Sequence, residues 1–174
     1  DRVGHVMNSG DGWYGGVFIS ALYSIAYTSD DIHFVIAEAL STIPEQSQFY
    51  KTIADVIRWH KQYPDDWKKT WFEVEKTHSS EKGCPEGVFN SFNIDARLNA
   101  AYVVIGLLYG DKDFFKTMDI ATRCGQDSDC NPASAAGVLG VMYGYSGIPD
   151  YWKPALEEAE GLKFPYMDIT LNDV

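Results

Sequence analysis

From Ile94 to Tyr109 the chain is apolar nearly all round, with Ala100, Val103, Val104, Leu107 and Leu108 among its residues. A helix of this composition has no side to offer water, so it is stable only as the buried centre of a larger assembly. The rest of the chain must then supply a sheath around it, and the flanking periodicity predicts that the sheath is helical.

Phe18, Leu22 and Ile25 recur at helical spacing and predict a helix from about Val17 to Thr28. Ser29-Asp30-Asp31 then supplies an N-cap and early acids for a helix carrying Ile32, Val35, Ile36 and Ala39 up to Pro44. After Pro44, the stripe Phe49, Ile53, Val56, Ile57 and His60 marks a third helix, broken at Tyr63-Pro64. Asp65 and Asp66 open a fourth, Trp-rich helix to about Lys76, and a loop from Thr77 to Asn93 containing Gly83, Pro85 and Gly87 follows. Beyond the central helix, Gly110 is a stop, Asp113 starts a helix to about Cys124, and Gly125 stops that one. The last strong helix runs from Pro132 to Tyr145, with Ala133, Ala136, Gly137, Gly140 and Gly144 placing small residues on one face for close backbone approach. Pro149 starts a short final helix, and the tail from Lys163 to Val174 has an alternation too mild to assign a strand. The expected fold is all-α, a compact multi-helix bundle in one domain.

Composition removes several functions. With 25 acidic against 14 basic residues the net charge is -11, which repels a phosphate backbone, so nucleic acid is excluded as a partner. A small phosphate-bearing ligand is not excluded, because a bound dication reverses the field locally. No apolar run approaches the roughly 20 residues that span a bilayer, so no membrane is expected. Cys84, Cys124 and Cys130 are an odd number without a CxxC pair, which implies free thiols in a reducing, cytoplasmic setting. The chain begins at Asp1 without Met and is expected to be a piece of something longer.

Candidate chemistry lies in Gly125-Gln126-Asp127-Ser128-Asp129-Cys130-Asn131-Pro132. Pro132 suits the first helical position and Asn131 the N-cap, so capping is supplied without the two aspartates. Asp127 and Asp129 then stand one turn upstream of a helix N-terminus, where two close carboxylates repel unless a cation or protons sit between them. Magnesium or manganese accepts such oxygen ligands. An Asp-x-Asp before a helix is also common in plain turns. A calcium EF-hand is excluded: Asp127, Asp129 and Asn131 match its first, third and fifth ligands, but Pro132 replaces the required Gly and Val138 the required Glu. His33, His60 and His78 have no ligand spacing and receive no role.

The Gly-Gln-Asp-Ser-Asp-Cys-Asn-Pro run, followed by a small-residue helix and Gly147-Ile148-Pro149, resembles the C-terminal signature of the ADP-ribosylglycohydrolases, whose motif reads Gly-x-Asp-Thr/Ser-Asp-Thr. Asn8-Ser9-Gly10-Asp11-Gly12 resembles the Gly-Asn-Gly substrate loop of that family, and Glu38 to Ser47 the helix and proline that follow it. The similarity covers most of the chain. It implies the family's all-α bundle, here partial, built around two magnesium (Mg2+) or manganese (Mn2+) ions. It also implies hydrolysis of the bond between ADP-ribose and an acceptor, so the partner is an ADP-ribosylated protein or an ADP-ribosyl small molecule. On the resemblance Asp127 and Asp129 are metal ligands, and Ser9, Gly10, Asp11, Gly12, Trp13 and Tyr14 form a substrate-binding loop whose amides bind phosphate and whose rings either stack on a base or pack in the core.

Two departures matter. Cys130 stands where the family commonly has a metal-contacting hydroxyl, so a water in its place, a softer metal or reduced activity is expected; no His lies near it in sequence to make it a nucleophile. The family's N-terminal Thr-Asp-Asp ligands and early Glu are expected upstream of Asp1, which would make the missing N-terminal part of the parent chain a partner and the source of the general acid or base. Thr28-Ser29-Asp30-Asp31 falls after the glycine loop and reads as helix capping. Asp11 replaces the family's usual Asn. Two other readings stay open, a non-catalytic crystallin-like or ligand-binding relative, and a glycosidase acting on another ribosyl substrate.

Overall fold

Every residue from Leu98 to Tyr109 is buried, so the all-apolar segment is the centre of the structure as its composition requires. The computed structural model describes residues 2–79 and 94–173. The helices are α1 (Gly10–Ala26), α2 (Ile32–Ser41), α3 (Gln48–Gln62), α4 (Trp67–His78), α5 (Ala96–Tyr109), α6 (Phe114–Arg123), α7 (Cys130–Gly147) and α8 (Lys153–Ala159). Two short 3-10 turns, Gly4–Val6 and Leu171–Asp173, complete the regular structure, and no strand occurs among the described residues. The chain is all-α. It divides into two compact units, Asp1–Met142 and Tyr143–Val174. In the first, α5 packs against α1, α2, α3, α4 and α6. The second holds α8 and the tail, where the Phe164 N–H donates to the Ile169 carbonyl at 3.0 Å in place of strand pairing.

Aspartate starts most of the sheath. The side chains of Asp31, Asp66, Asp95 and Asp113 accept first-turn amides of α2, α4, α5 and α6, and Ser47 does so for α3. Each such cap contributes about 1 kcal/mol. Part of the acidic excess is therefore structural, and Asp31, bonded to the amides of His33 and Phe34, is a cap as its place in the sequence suggests.

Three differences from the sequence reading are informative. Helix α1 begins at Gly10 instead of near Val17, because Trp13 to Val17 carry helix-compatible residues that the turn-like glycines disguise. Gly110 has ordinary right-handed torsions and the positive φ values fall on Asp111 (55°) and Lys112 (66°). Gly110 is needed for space: an added Cβ would lie 1.8 Å from Thr117 Oγ1 and 2.6 Å from the Gly106 carbonyl. Of Gly137, Gly140 and Gly144 on the small-residue face of α7, Gly137 makes the close approach expected. A Cβ there would lie 2.0 Å from the Tyr23 hydroxyl, whereas Gly140 and Gly144 have nothing within 4 Å. The expected loop from Thr77 lies, from residue 80 to Asn93, outside the described residues, as does Cys84.

The histidines are structural. His78 joins α4 to α3, with Nε2 2.9 Å from Asp55 Oδ2 and Nδ1 3.2 Å from the buried Thr52 hydroxyl. His60 lies edge-on to Tyr109 at 4.7 Å and beside His33 at 5.4 Å. Burial, and then the charge of His33, hold the His60 imidazole below its ordinary value.

Two measurements follow from this packing. Gly110→Ala is expected to lower stability by about 1–3 kcal/mol through overpacking against Thr117, read from denaturant midpoints. Because His60 is favoured neutral in the folded state, its contribution is complete above its unfolded value of about 6.5 and is lost as pH falls through the lower folded value. The stability gap between the native chain and His60→Gln should therefore be widest near pH 8 and narrow below about pH 6. A pH-independent gap would exclude this role.

Candidate metal centre

The α6–α7 connection is a tight turn held at several points. Gly125 leaves α6 with φ 102° and Gln126 follows at 52°, so two successive residues reverse the chain in the left-handed region. The Trp71 indole N–H donates to the Cys124 carbonyl at 2.8 Å, and the Ser128 hydroxyl to the Thr122 carbonyl at 3.1 Å. The turn delivers Asp127, half-buried, and Asp129 and Cys130, both exposed, to one place. Their ligand atoms all lie within 4.8 Å of one another.

The start of α7 differs from the sequence reading. The helix begins at Cys130, and the Cys130 N–H donates to Asp127 Oδ1 at 3.2 Å, so Asp127 takes the capping role expected of Asn131. Asn131 is buried, and its side-chain amide donates to Asn99 Oδ1 at 2.7 Å. A carboxylate has two oxygens and about four acceptor positions, so this single cap leaves Asp127 able to accept a cation. Its carboxyl is held below the usual range, first by hydrogen-bond pairing with Asp129 and then by the Cys130 amide. The Cys130 thiol is pushed up, first by its hydrogen bond to Asp127 and then by the charges of both aspartates. It is a neutral thiol at ordinary pH and lacks the thiolate character a nucleophile needs.

The predicted substrate residues lie elsewhere on the same unit. Ser9 is extended at the N-cap position of α1 and makes no side-chain capping bond; Gly10, Asp11, Gly12, Trp13 and Tyr14 form the first helical turns and not a loop. Gly10, at φ 54°, is where the chain turns into the helix. Helix N-termini attract anions through their unpaired amides. Trp13 stacks on His5 at 4.3 Å and lies 5.0 Å from Tyr14. Asp11 is offset by a cation that sequence reading missed, with Arg97 Nε 3.5 Å from its Oδ2. Arg97 also forks onto Asp95, with Nη2–Oδ2 at 2.7 Å. A groove of about 180 Å³ lies between α1, α5 and the start of α7, lined by Gly12, Gly15, Ala96, Asn99, Asn131 and Ser134 among others.

The donor set suits a hard dication. Asp127 and Asp129 would offer oxygen ligands of the kind magnesium or manganese takes, while the protonated, soft thiol of Cys130 suits such an ion poorly. The chain belongs to the ADP-ribosylglycohydrolase family, whose model matches residues 1–170. Membership supports a glycohydrolase-type enzyme. Comparison with curated proteins and with solved structures returns no match. No helix among the described residues is long and apolar enough to cross a membrane.

Capping and ligation by Asp127 separate experimentally. Asp127→Asn keeps an acceptor for the Cys130 amide, so metal-free stability should stay within about 0.5 kcal/mol of native, whereas Asp127→Ala should lose about 1 kcal/mol. Equal melting of the two variants in chelator would remove the capping role.

Proposed function

We propose that this chain carries part of the active site of a metal-dependent hydrolase that cleaves the glycosidic bond of ADP-ribose attached to a protein side chain or small acceptor. The observation that carries this reading is the convergence of the Asp127 and Asp129 carboxylates in a member of the ADP-ribosylglycohydrolase family. Asp127 and Asp129 would hold Mg2+ or Mn2+, with water and further oxygens completing the shell. When bound, such ions polarise substrate oxygens and lower the pKa of water.

The chain's own residues supply the rest. Asp127 is fixed at both ends, its amide donating to Asn99 Oδ1 at 3.1 Å and its carboxylate accepting from Cys130, so its remaining oxygen presents in one direction. The first-turn amides of α1 offer a seat for a phosphate group of the substrate. Arg97, shared between Asp95 and Asp11, offsets part of the Asp11 charge beside that seat. The groove lined by Gly12, Ala96 and Ser134 among others would give the ribose a largely apolar floor beside the start of α1.

The test is release of ADP-ribose by the full-length protein from an ADP-ribosylated protein and from a small ADP-ribosyl compound. Turnover should require Mg2+ or Mn2+, stop on chelation, and fall about a hundredfold or more in Asp127→Ala, the scale of several kcal/mol of lost electrostatic stabilisation. Undiminished turnover in that variant sinks the assignment. Cleavage confined to other ribosyl compounds would point to a different glycosidase, and no cleavage by a folded protein to a non-catalytic relative.

A further inference from the structure

We propose that Asn99 is the positioning residue of the aspartate turn, holding Asp127 and Asp129 in register with the start of α1. This inference rests on the reading of the two aspartates as metal ligands. Asn99 is 8% exposed, near the N-terminal end of the most buried helix, and is the sole side-chain amide in α5. All of its hydrogen-bonding capacity is used around the turn. Oδ1 accepts from the Asp127 amide at 3.1 Å and from Asn131 Nδ2 at 2.7 Å. Nδ2 donates to the Asp95 carbonyl at 2.9 Å and to Gln126 Oε1 at 2.9 Å.

The orientation of this amide is dictated by the backbone. The Asp127 N–H can only donate and the Asp95 carbonyl can only accept, so Asn99 must face them oxygen to nitrogen and nitrogen to oxygen. That choice propagates. Asn131 must present its nitrogen, and Gln126 its oxygen, which also accepts the Asp95 amide at 3.2 Å. The bonds to Gln126 hold a non-glycine residue at φ 52°, a conformation such residues adopt only when their surroundings enforce it. Through Asp95 the network continues to Arg97 and on to Asp11, so one set of polar contacts runs from the aspartate turn to the first turn of α1.

The experiment is Mn2+ titration of the full-length protein by electron paramagnetic resonance, with the Asp127 amide exchange rate followed by NMR. Asn99→Ala should weaken Mn2+ binding about 10–100-fold, the usual effect of removing the hydrogen bonds behind metal ligands, and should speed exchange at Asp127. Thr70→Val loses a comparably buried bond, to Tyr109 at 2.6 Å, and should lower the melting temperature without changing Mn2+ affinity. If Asn99→Ala does not fold, Asn99→Asp decides. It keeps the acceptor but turns a second oxygen toward the Asp95 carbonyl and Gln126, so it should bind Mn2+ more weakly despite its added negative charge. Native affinity in a folded Asn99→Ala, or tighter binding by Asn99→Asp, overturns the inference while leaving the ligands in place. Absence of Mn2+ binding by the native protein overturns both the inference and the reading beneath it.

Discussion

A helix buried on every side can carry a polar side chain only where another element delivers a partner to it, because an unpaired buried group costs about 1–3 kcal/mol. Helix α5 carries such groups at several levels. Asn99 meets the aspartate turn, the Tyr102 hydroxyl meets Glu75 of α4, and the Tyr109 hydroxyl meets Thr70 and the Tyr63 carbonyl. Apolar contact is non-directional and would tolerate sliding of the sheath along α5. The polar contacts do not, so they set the height of α4 and of the α6–α7 turn against the central helix. The position of the candidate site follows from the need to satisfy the core.

Most of the helical architecture was legible because α2, α3, α4 and α6 each carry a start signal next to their own period. Asp31, Asp66 and Asp113 cap where the sequence places them, and α5 is central as its composition demands. The Asp127 and Asp129 pair was legible from local spacing, since the two are separated by one residue in one turn. What escaped was non-local. Arg97 meets Asp11 across 86 residues of chain, and no periodicity reports such a pairing. Asn99 did leave a trace, an amide in an otherwise apolar run, but its partners could not be read from that trace. Asn131 was misassigned for a related reason: its type suits an N-cap, and only the approach of α5 makes its amide more useful inward.

The aspartate turn differs electrostatically from the acidic positions that carry an ion pair. Asp55, Asp119, Asp150 and Asp168 are paired with neighbouring cations, and Asp11 and Asp95 share Arg97. Among the described residues no Lys or Arg forms an ion pair with Asp127 or Asp129. Two carboxylates brought together without a basic side chain leave a local excess of negative charge that backbone amides offset only in part. Asn99, Trp71 and Ser128 each hold the chain around the turn by a hydrogen bond.

Cys130 fits the same account. A serine or threonine hydroxyl at this position would be a hard donor able to join the coordination of a dication, whereas a thiol kept protonated by two flanking carboxylates adds neither charge nor a suitable ligand. In the metal-dependent reading proposed above, the thiol would remove a protein ligand without adding repulsion. Tighter restraint of the remaining ligands is one physical means of offsetting a smaller ligand set, because less ordering is then required when the ion arrives. The saturated hydrogen bonding of Asn99 behind Asp127 would provide that restraint in this chain.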